Sequence, residues 1–133
     1  MKTRIVVALL PLLALTACAA FKNRESDAEQ LARYMDYAGQ PVDSFSLLGG
    51  VDSWQSLGDN RLLVRTGVNK AYLLTVAQPC IDLDFANAIS LTSTGSTVSR
   101  GLDAVRVGRE RCQITDIRPV DYKAVRQAAK AGN

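Results

Sequence analysis

The sequence predicts a mainly β domain of the α+β class: a small antiparallel, twisted or barrel-like sheet of about six or seven strands with an N-terminal and a C-terminal helix. From residue 42 onward, apolar and polar residues alternate with a period of two. Turn residues interrupt this alternation about every eight to twelve positions, which is typical of antiparallel structure. Helical periodicity is confined to the segments that precede and follow the alternating region.

The first helix is predicted over residues 27–38. Ser26 and Glu29 have the spacing of a capping box, in which each side chain accepts a hydrogen bond from the other residue's backbone amide. Apolar residues then recur at helical spacing, and Gly39 and Pro41 end the helix. We expect its apolar stripe to dock on the sheet.

The strand pattern is most regular in residues 61–66 and 70–76. Neither segment contains proline or glycine, and Gly67-Val68-Asn69 separates them, so they predict a central hairpin. Residues 81–86 allow one helical turn, and Asp121 is placed to cap a final helix. The other predicted strands are residues 45–47, 53–57, 88–93, 97–99, 104–107 and 111–117.

The N-terminus has the order of a bacterial export signal. Lys2 and Arg4 precede an uncharged, largely aliphatic run over residues 5–15, and the following Leu-Thr-Ala-Cys18 resembles the lipobox of bacterial lipoproteins. The resemblance implies cleavage before Cys18, a diacylglyceryl group on its thiol and acylation of the new amine, for example by palmitate. Two or three acyl chains anchor a protein stably, whereas one chain is marginal. Ala19, where an inner-membrane retention signal carries aspartate, favours the outer membrane.

The chain is therefore expected to contain a signal peptide (1–17), a lipidated tether (18–26) and one domain (27–133) that faces the periplasm. The alternative is a secretory signal cleaved near Ala17-Cys18-Ala19, which leaves a free periplasmic domain. Without residues 1–17, 14 basic and 13 acidic residues remain among 116. That balance gives no clustered positive face, so we expect no nucleic-acid partner.

Cys80 and Cys112 are left when Cys18 is assigned to lipid. Export places them in an oxidising compartment, where two thiols of a small domain usually pair, so a Cys80–Cys112 disulfide is predicted. The alternative is a redox or metal site. Such a site favours a Cys-x-x-Cys spacing or histidine ligands, which the sequence lacks, and no metal or cofactor is expected.

Catalytic groups are scarce in this chain. It contains no histidine, which excludes a Ser-His-Asp triad and a Cys-His pair. We therefore expect no catalytic residue and a non-enzymatic binding or interaction module of the cell envelope. The alternative is a small hydrolase or transferase in which aspartates act as general acid and base. The candidates are Asp82, Asp84, Asp103 and Asp116.

A lipid or metabolite carrier is a further alternative, and it requires a hollow sheet. Side chains that fill the sheet interior would exclude it. The residues expected to fill the interior are Leu63, Leu73, Ile89 and Val105.

A candidate binding surface consists of two aromatic and two basic residues on or near the predicted strands: Trp54, Tyr72, Arg65 and Arg100. Exposed together, they would form an interface for an envelope protein or a glycan. If the aromatic residues are buried separately, they belong to the core.

A longer pattern gives a family resemblance. It comprises Tyr-Ala-Gly at 37–39, Trp54, residues 62–66 and 71–74, Cys80, and residues 89–93, 103–105 and 112–117. Over about residues 37–121, with the paired cysteines as its most specific part, the chain resembles DUF6491, a group of short envelope lipoproteins of proteobacteria. The resemblance implies an envelope location and no assigned activity.

Overall fold

A computed structural model describes residues 25–132, in which six antiparallel strands form one curled sheet, a half-barrel, with a helix near each end of the chain. The predicted fold class is confirmed. The predicted signal peptide and lipidated Cys18 lie outside the described residues. Within residues 25–132, neither helix has the length and apolar character needed to span a bilayer.

The elements in chain order are α1 (Asp27–Asp36), β1 (Ser44–Ser46), β2 (Ser53–Ser56), β3 (Arg61–Arg65), β4 (Lys70–Val76), β5 (Ser90–Leu91), β6 (Thr97–Ser99), β7 (Ala104–Val107), β8 (Glu110–Asp121) and α2 (Tyr122–Ala131). A 3₁₀ turn over Ile81–Phe85 separates β4 from β5. The large sheet has the order β2-β3-β4-β8-β7-β5, and β1 pairs with β6 in a separate ribbon.

Helix α1 begins at the predicted capping box. The Ser26 hydroxyl accepts from the Glu29 amide at 3.2 Å, and the Glu29 carboxylate accepts from the Ser26 amide at 2.9 Å. The helix ends at Asp36, slightly before the predicted residue 38. The reason is that the next residues join the sheet, where Ala38 forms an antiparallel bridge with Val120.

Strand β8 continues beyond the predicted end at residue 117. Proline is normally excluded from central strands because it has no amide proton. The Pro119 carbonyl accepts from the Gly39 amide at 2.8 Å, on the side of β8 away from β4. Because the amide and carbonyl of a residue in an antiparallel strand point the same way, the missing proton of Pro119 removes no bond to β4.

The sheet separates two apolar clusters. The inner cluster fills the curl of the sheet and contains Phe45, Leu62, Val64, Leu74, Val76, Cys80, Leu83, Val98, Val105, Val107, Cys112, Ile114 and Ile117. The helix-side cluster contains Tyr34, Leu57, Leu63, Ala71, Leu73, Val120 and Val125. Strands β3, β4 and β8 contribute to both clusters because successive side chains point to opposite faces.

This alternation corrects part of the predicted interior. Val105 lies in the inner cluster and Ile89 packs against it, as expected for residues that fill the curl. Leu63 and Leu73 instead pack under the helices. The neighbouring residues of β3 and β4 occupy the curl in their place, so its interior is packed with side chains.

The predicted disulfide is present. Cys80 and Cys112 are bonded, with 5.8 Å between their Cα atoms, and both are buried in the inner cluster. The bond fastens the segment after β4 to β8. It therefore closes the curl at the end where the 3₁₀ turn Ile81–Phe85 lies.

Loss of the disulfide should weaken the domain strongly. In the chain-entropy model, a loop of roughly 33 residues contributes about 3–4 kcal/mol. We expect the Cys80→Ala/Cys112→Ala double variant to unfold in urea with its free energy of unfolding lowered by that amount. The natural protein measured in reductant is the matched control and should lose a similar amount. A loss below about 1 kcal/mol in both would show that packing alone holds this end.

Candidate functional site

A cleft of about 130 Å³ lies between the two helices and strands β2 and β3. It is lined by Tyr34, Ser53, Trp54, Gln55, Leu63, Arg65 and Tyr122, and we call it the Arg65 cleft. A cavity of about 150 Å³ holds a molecule the size of benzene, so the cleft has room for one small group. This volume suits one small polar or acidic group better than a sugar ring.

Strand register places the polar residues of the cleft. Ser53 lies opposite Arg65 in the β2–β3 pair, and Gln55 lies opposite Leu63. All four therefore face the helices, where Gln55 donates a hydrogen bond to Gln30 of α1. The cleft is thus a polar gap at the margin of the helix-side cluster.

Arg65 is held by the ring of Tyr122. Its guanidinium carbon lies 4.4 Å from the ring centroid, within the range of a cation–π contact. Its Nη1 lies 3.5 Å from the Ser53 hydroxyl. The Arg65 Nε atom is buried and has no hydrogen-bond partner within residues 25–132. A buried donor without an acceptor points to an occupant, such as a water or an ion, that residues 25–132 do not supply.

A second guanidinium approaches the same ring. Arg126 of α2 lies 6.0 Å from the Tyr122 centroid and donates to the Asn69 side chain. Its Nε atom is also buried without a hydrogen bond in the described part of the chain. Two arginines therefore share one aromatic ring at this side of the domain.

The positive charge of the cleft is not compensated by a carboxylate from residues 25–132. The ion pairs in that range are Arg33–Glu25, Arg100–Asp43 and Arg118–Asp116, and they include neither Arg65 nor Arg126. A guanidinium offers planar, forked donors that match a carboxylate or a phosphate. The cleft therefore has the chemistry of a small anion-binding site.

Of the four residues predicted to form a binding surface, Trp54 and Arg65 both line the cleft, whereas Tyr72 and Arg100 do not. Trp54 and Tyr72 pack against the inner cluster, and Tyr72 stacks on Phe45 with 4.3 Å between the ring centroids. Arg65 lies on the opposite face of the sheet, in the cleft. Arg100 lies on the exposed connection from β6 to β7, where it is paired with an aspartate at 2.8 Å. Of the two arginines, only Arg65 lines the cleft.

The four candidate acid–base aspartates are also dispersed. Asp82 and Asp84 are exposed on the 3₁₀ turn, and Asp116 lies on β8 beside Arg118, at 3.1 Å. Asp103 is buried before β7, where it accepts from a threonine hydroxyl at 2.8 Å and from a backbone amide at 2.7 Å. Asp103 therefore stabilises a turn.

One group of potential metal ligands occurs within residues 25–132. It contains Cys80, Cys112 and Glu110, whose donor atoms lie within 4.8 Å of one another. The two sulfurs are bonded to each other, so they do not act as thiolate ligands. The Glu110 carboxylate accepts from the amides of Ile81 and Asp82 at 3.1 and 3.0 Å. This group therefore fixes the 3₁₀ turn.

Sequence reasoning identified Arg65 but missed Tyr122 and Arg126. These residues meet because α2 folds back onto β3, and no local pattern specifies that contact. One signal was available: Tyr122 directly follows the helix cap Asp121, whose side chain accepts from the Ala124 amide at 3.0 Å. This fixes Tyr122 at the start of α2 and close to the sheet.

The Tyr122 ring should contribute to stability through its cation–π contacts. We expect Tyr122→Leu to lower the free energy of unfolding in urea by about 1 kcal/mol, because a contact of this kind contributes roughly 0.5–1 kcal/mol at a partly exposed site. Tyr122→Phe is the matched control because it keeps the ring, and it should lose less than half as much. Equal losses in both variants would contradict the role assigned to the ring.

Neither the comparison with curated proteins nor that with solved structures finds a match. A family model does match, and it covers residues 1–133. Its description is a family of unknown function, DUF6491, which agrees with the resemblance drawn from the cysteines and strands. The chain is therefore a member of the DUF6491 family.

Proposed function

We propose that this protein is a lipid-anchored, non-enzymatic binding module of the bacterial envelope, and that its Arg65 cleft binds an acidic group of another envelope component. The observation that carries the proposal is the Arg65 guanidinium. It lines the cleft, its Nε atom is buried without an acceptor among residues 25–132, and none of the ion pairs of that range includes it.

The envelope location is supported by the sequence. The basic start, the apolar run and the lipobox-like Leu-Thr-Ala-Cys18 occur in the order that export and lipidation require. The Cys80–Cys112 disulfide suits an oxidising compartment such as the periplasm. Ala19 directly after Cys18 favours the periplasmic face of the outer membrane as the site of the anchor.

An acidic occupant is supported by the energy of the buried donor. A buried polar group without a partner costs about 1–3 kcal/mol, and a hydrogen bond to a charged group contributes about 1.5–3 kcal/mol. An anion that accepts from Arg65 would remove the cost of the unpaired donor and would add the stabilisation of a charged hydrogen bond. The Ser53 hydroxyl, next to the guanidinium, offers a further donor.

Size and composition favour a protein partner over a glycan. The cleft of about 130 Å³ accepts one acidic side chain or a C-terminal carboxylate. Arginine, tyrosine and tryptophan are the residues most enriched in the energetic centres of protein interfaces, and all three types line the cleft. The proposed occupant is therefore a carboxylate of another envelope protein.

Photo-crosslinking in intact cells tests the occupant. A photoreactive benzoylphenylalanine replaces exposed Asp52, the neighbour of Ser53, or exposed Leu102 as a distant control. We expect a defined protein adduct from position 52 alone, identified by mass spectrometry. Arg65→Gln should reduce it by at least about tenfold, because removing one partner of a buried charged hydrogen bond costs about 2–5 kcal/mol.

Arg100→Gln is the matched control for this experiment, since it removes an exposed arginine that pairs with Asp43. It should leave the adduct unchanged. An adduct that survives Arg65→Gln, or one that Arg100→Gln reduces equally, would contradict the assignment of the cleft.

The anchor itself is tested by Cys18→Ser. We expect the natural protein to sediment with membranes and to show the mass of two or three acyl chains on a chain that begins at Cys18. The variant lacks the thiol that is acylated, so it should keep its signal peptide and show no acyl mass. A natural protein that is cleaved elsewhere and carries no lipid would refute the lipoprotein proposal.

A further inference from the structure

The 3₁₀ turn Ile81–Phe85 presents two exposed apolar side chains. Phe85 is 83% exposed, the largest value among the large apolar residues of the described part of the chain, and Ile81 is 69% exposed. The turn itself is firmly held, because Leu83 is buried in the inner cluster and Glu110 accepts from two of its amides. The disulfide at Cys80 directly precedes it. A fixed turn therefore exposes Ile81 and Phe85.

This turn lies at the end of the domain where the chain enters α1. Asp84 accepts from the Ser56 hydroxyl, which immediately precedes the β2–β3 turn, at 2.6 Å. Within that turn, a Cβ atom at Gly58 would lie 3.7 Å from the Cβ atom of Asp27, the first residue of α1. We call this part of the domain the tether end: Ser26 and Asp27, residues 58–60 and Ile81–Phe85.

The chain before α1 is short. Eight peptide steps separate Cys18 from Ser26, and a fully extended chain spans at most about 3.6 Å per residue, so their separation is at most about 29 Å. A domain of this size has a radius of gyration of about 13 Å and a diameter of roughly 35 Å. A lipid on Cys18 therefore keeps Ser26 of the tether end within about 29 Å of the bilayer, less than the diameter of the domain.

We propose that the tether end rests on the bilayer that holds the anchor, with the Ile81 and Phe85 side chains inserted into its interface. This inference depends on the proposed lipid anchor. Apolar side chains that enter the boundary between headgroups and acyl chains by about 5–10 Å are the general means by which proteins lie on a membrane surface. Insertion removes from water the two side chains that the fold itself leaves exposed.

The charges of the tether end indicate which lipids it accepts. Its charged residues in the described part of the chain are Asp27, Asp59, Asp82 and Asp84, and all four are exposed. Lys22 and Arg24 of the tether offset two of these charges, and the net negative charge that remains repels an anionic surface at low salt. The proposed bilayer surface is therefore zwitterionic, with phosphatidylethanolamine or phosphatidylcholine headgroups.

Tryptophan quenching by brominated lipid tests this inference with the acylated full-length protein in phosphatidylcholine vesicles. The natural protein, whose one tryptophan is Trp54, supplies the baseline. Phe85→Trp adds a probe at the tether end. Val68→Trp is the matched control, since Val68 is 66% exposed in the β3–β4 turn at the opposite end of the same strands.

We expect acyl-chain bromination to reduce the added fluorescence of the Phe85→Trp variant at least about twofold and that of Val68→Trp little, because only the first probe lies within the interface. Ile81→Ser combined with Phe85→Trp should weaken the quenching. Replacing half the lipid with phosphatidylglycerol at low salt should also weaken it.

The outcomes separate this inference from the anchor. If the protein is acylated and both probes are quenched equally, or neither is quenched, the proposed insertion of Ile81 and Phe85 is wrong and the lipid anchor is still supported. If the protein carries no acyl mass, both the lipid anchor and the insertion of the tether end are contradicted. Emission of the Phe85→Trp variant that shifts to the blue with protein concentration in lipid-free detergent would assign the surface to a second copy of the chain, which also overturns the proposal.

Discussion

The pairing of β4 with β8 is the constraint on which the rest of the structure depends. It joins Lys70 to Asp121 at one end and continues to Val76 and Ile114 at the other. In the large sheet, β3 and β2 follow on the β4 side of this pair, and β7 and β5 follow on the β8 side. The two apolar clusters lie on its opposite faces, so the pairing divides the side chains that fill the curl from those that hold the helices.

The same pairing positions the cleft. Helix α2 follows β8 without a linker, so the register that places Asp121 opposite Lys70 also fixes where Tyr122 begins the helix. Arg65 lies opposite Ala71 in the adjoining pair. A shift of one residue in either pair would move every side chain to the other face, and Arg65 would then point away from Tyr122. The position of the Arg65 guanidinium beside Tyr122 therefore depends on sheet register.

Local features of this fold were readable from the sequence, whereas long-range contacts were not. The capping box of α1, the β3–β4 hairpin and the disulfide each follow from a short pattern or from a count of cysteines. The face on which Leu63 lies was assigned incorrectly because alternation does not say which side the helices cover. The contact of Arg65 with Tyr122 depends on how α2 packs, and Pro119 concealed the last part of β8.

The two proposals use different parts of the domain. Strand β3 runs from Arg61 beside the tether end to Arg65 in the cleft, about 13 Å at the rise of an extended strand. In the proposed arrangement, the 3₁₀ turn meets the bilayer and the Arg65 side of the cleft lies farther from it. An envelope protein could then reach the cleft while the domain rests on the membrane.

The most direct test of the central claim is nuclear magnetic resonance of the arginine Nε–H groups during titration with acetate, a soluble carboxylate. The account predicts a saturable shift of the Arg65 resonance and little change at Arg100, which already has a carboxylate partner. A response at Arg65 no larger than that at Arg100 would contradict it, because the Arg65 guanidinium would then have no capacity for an added anion.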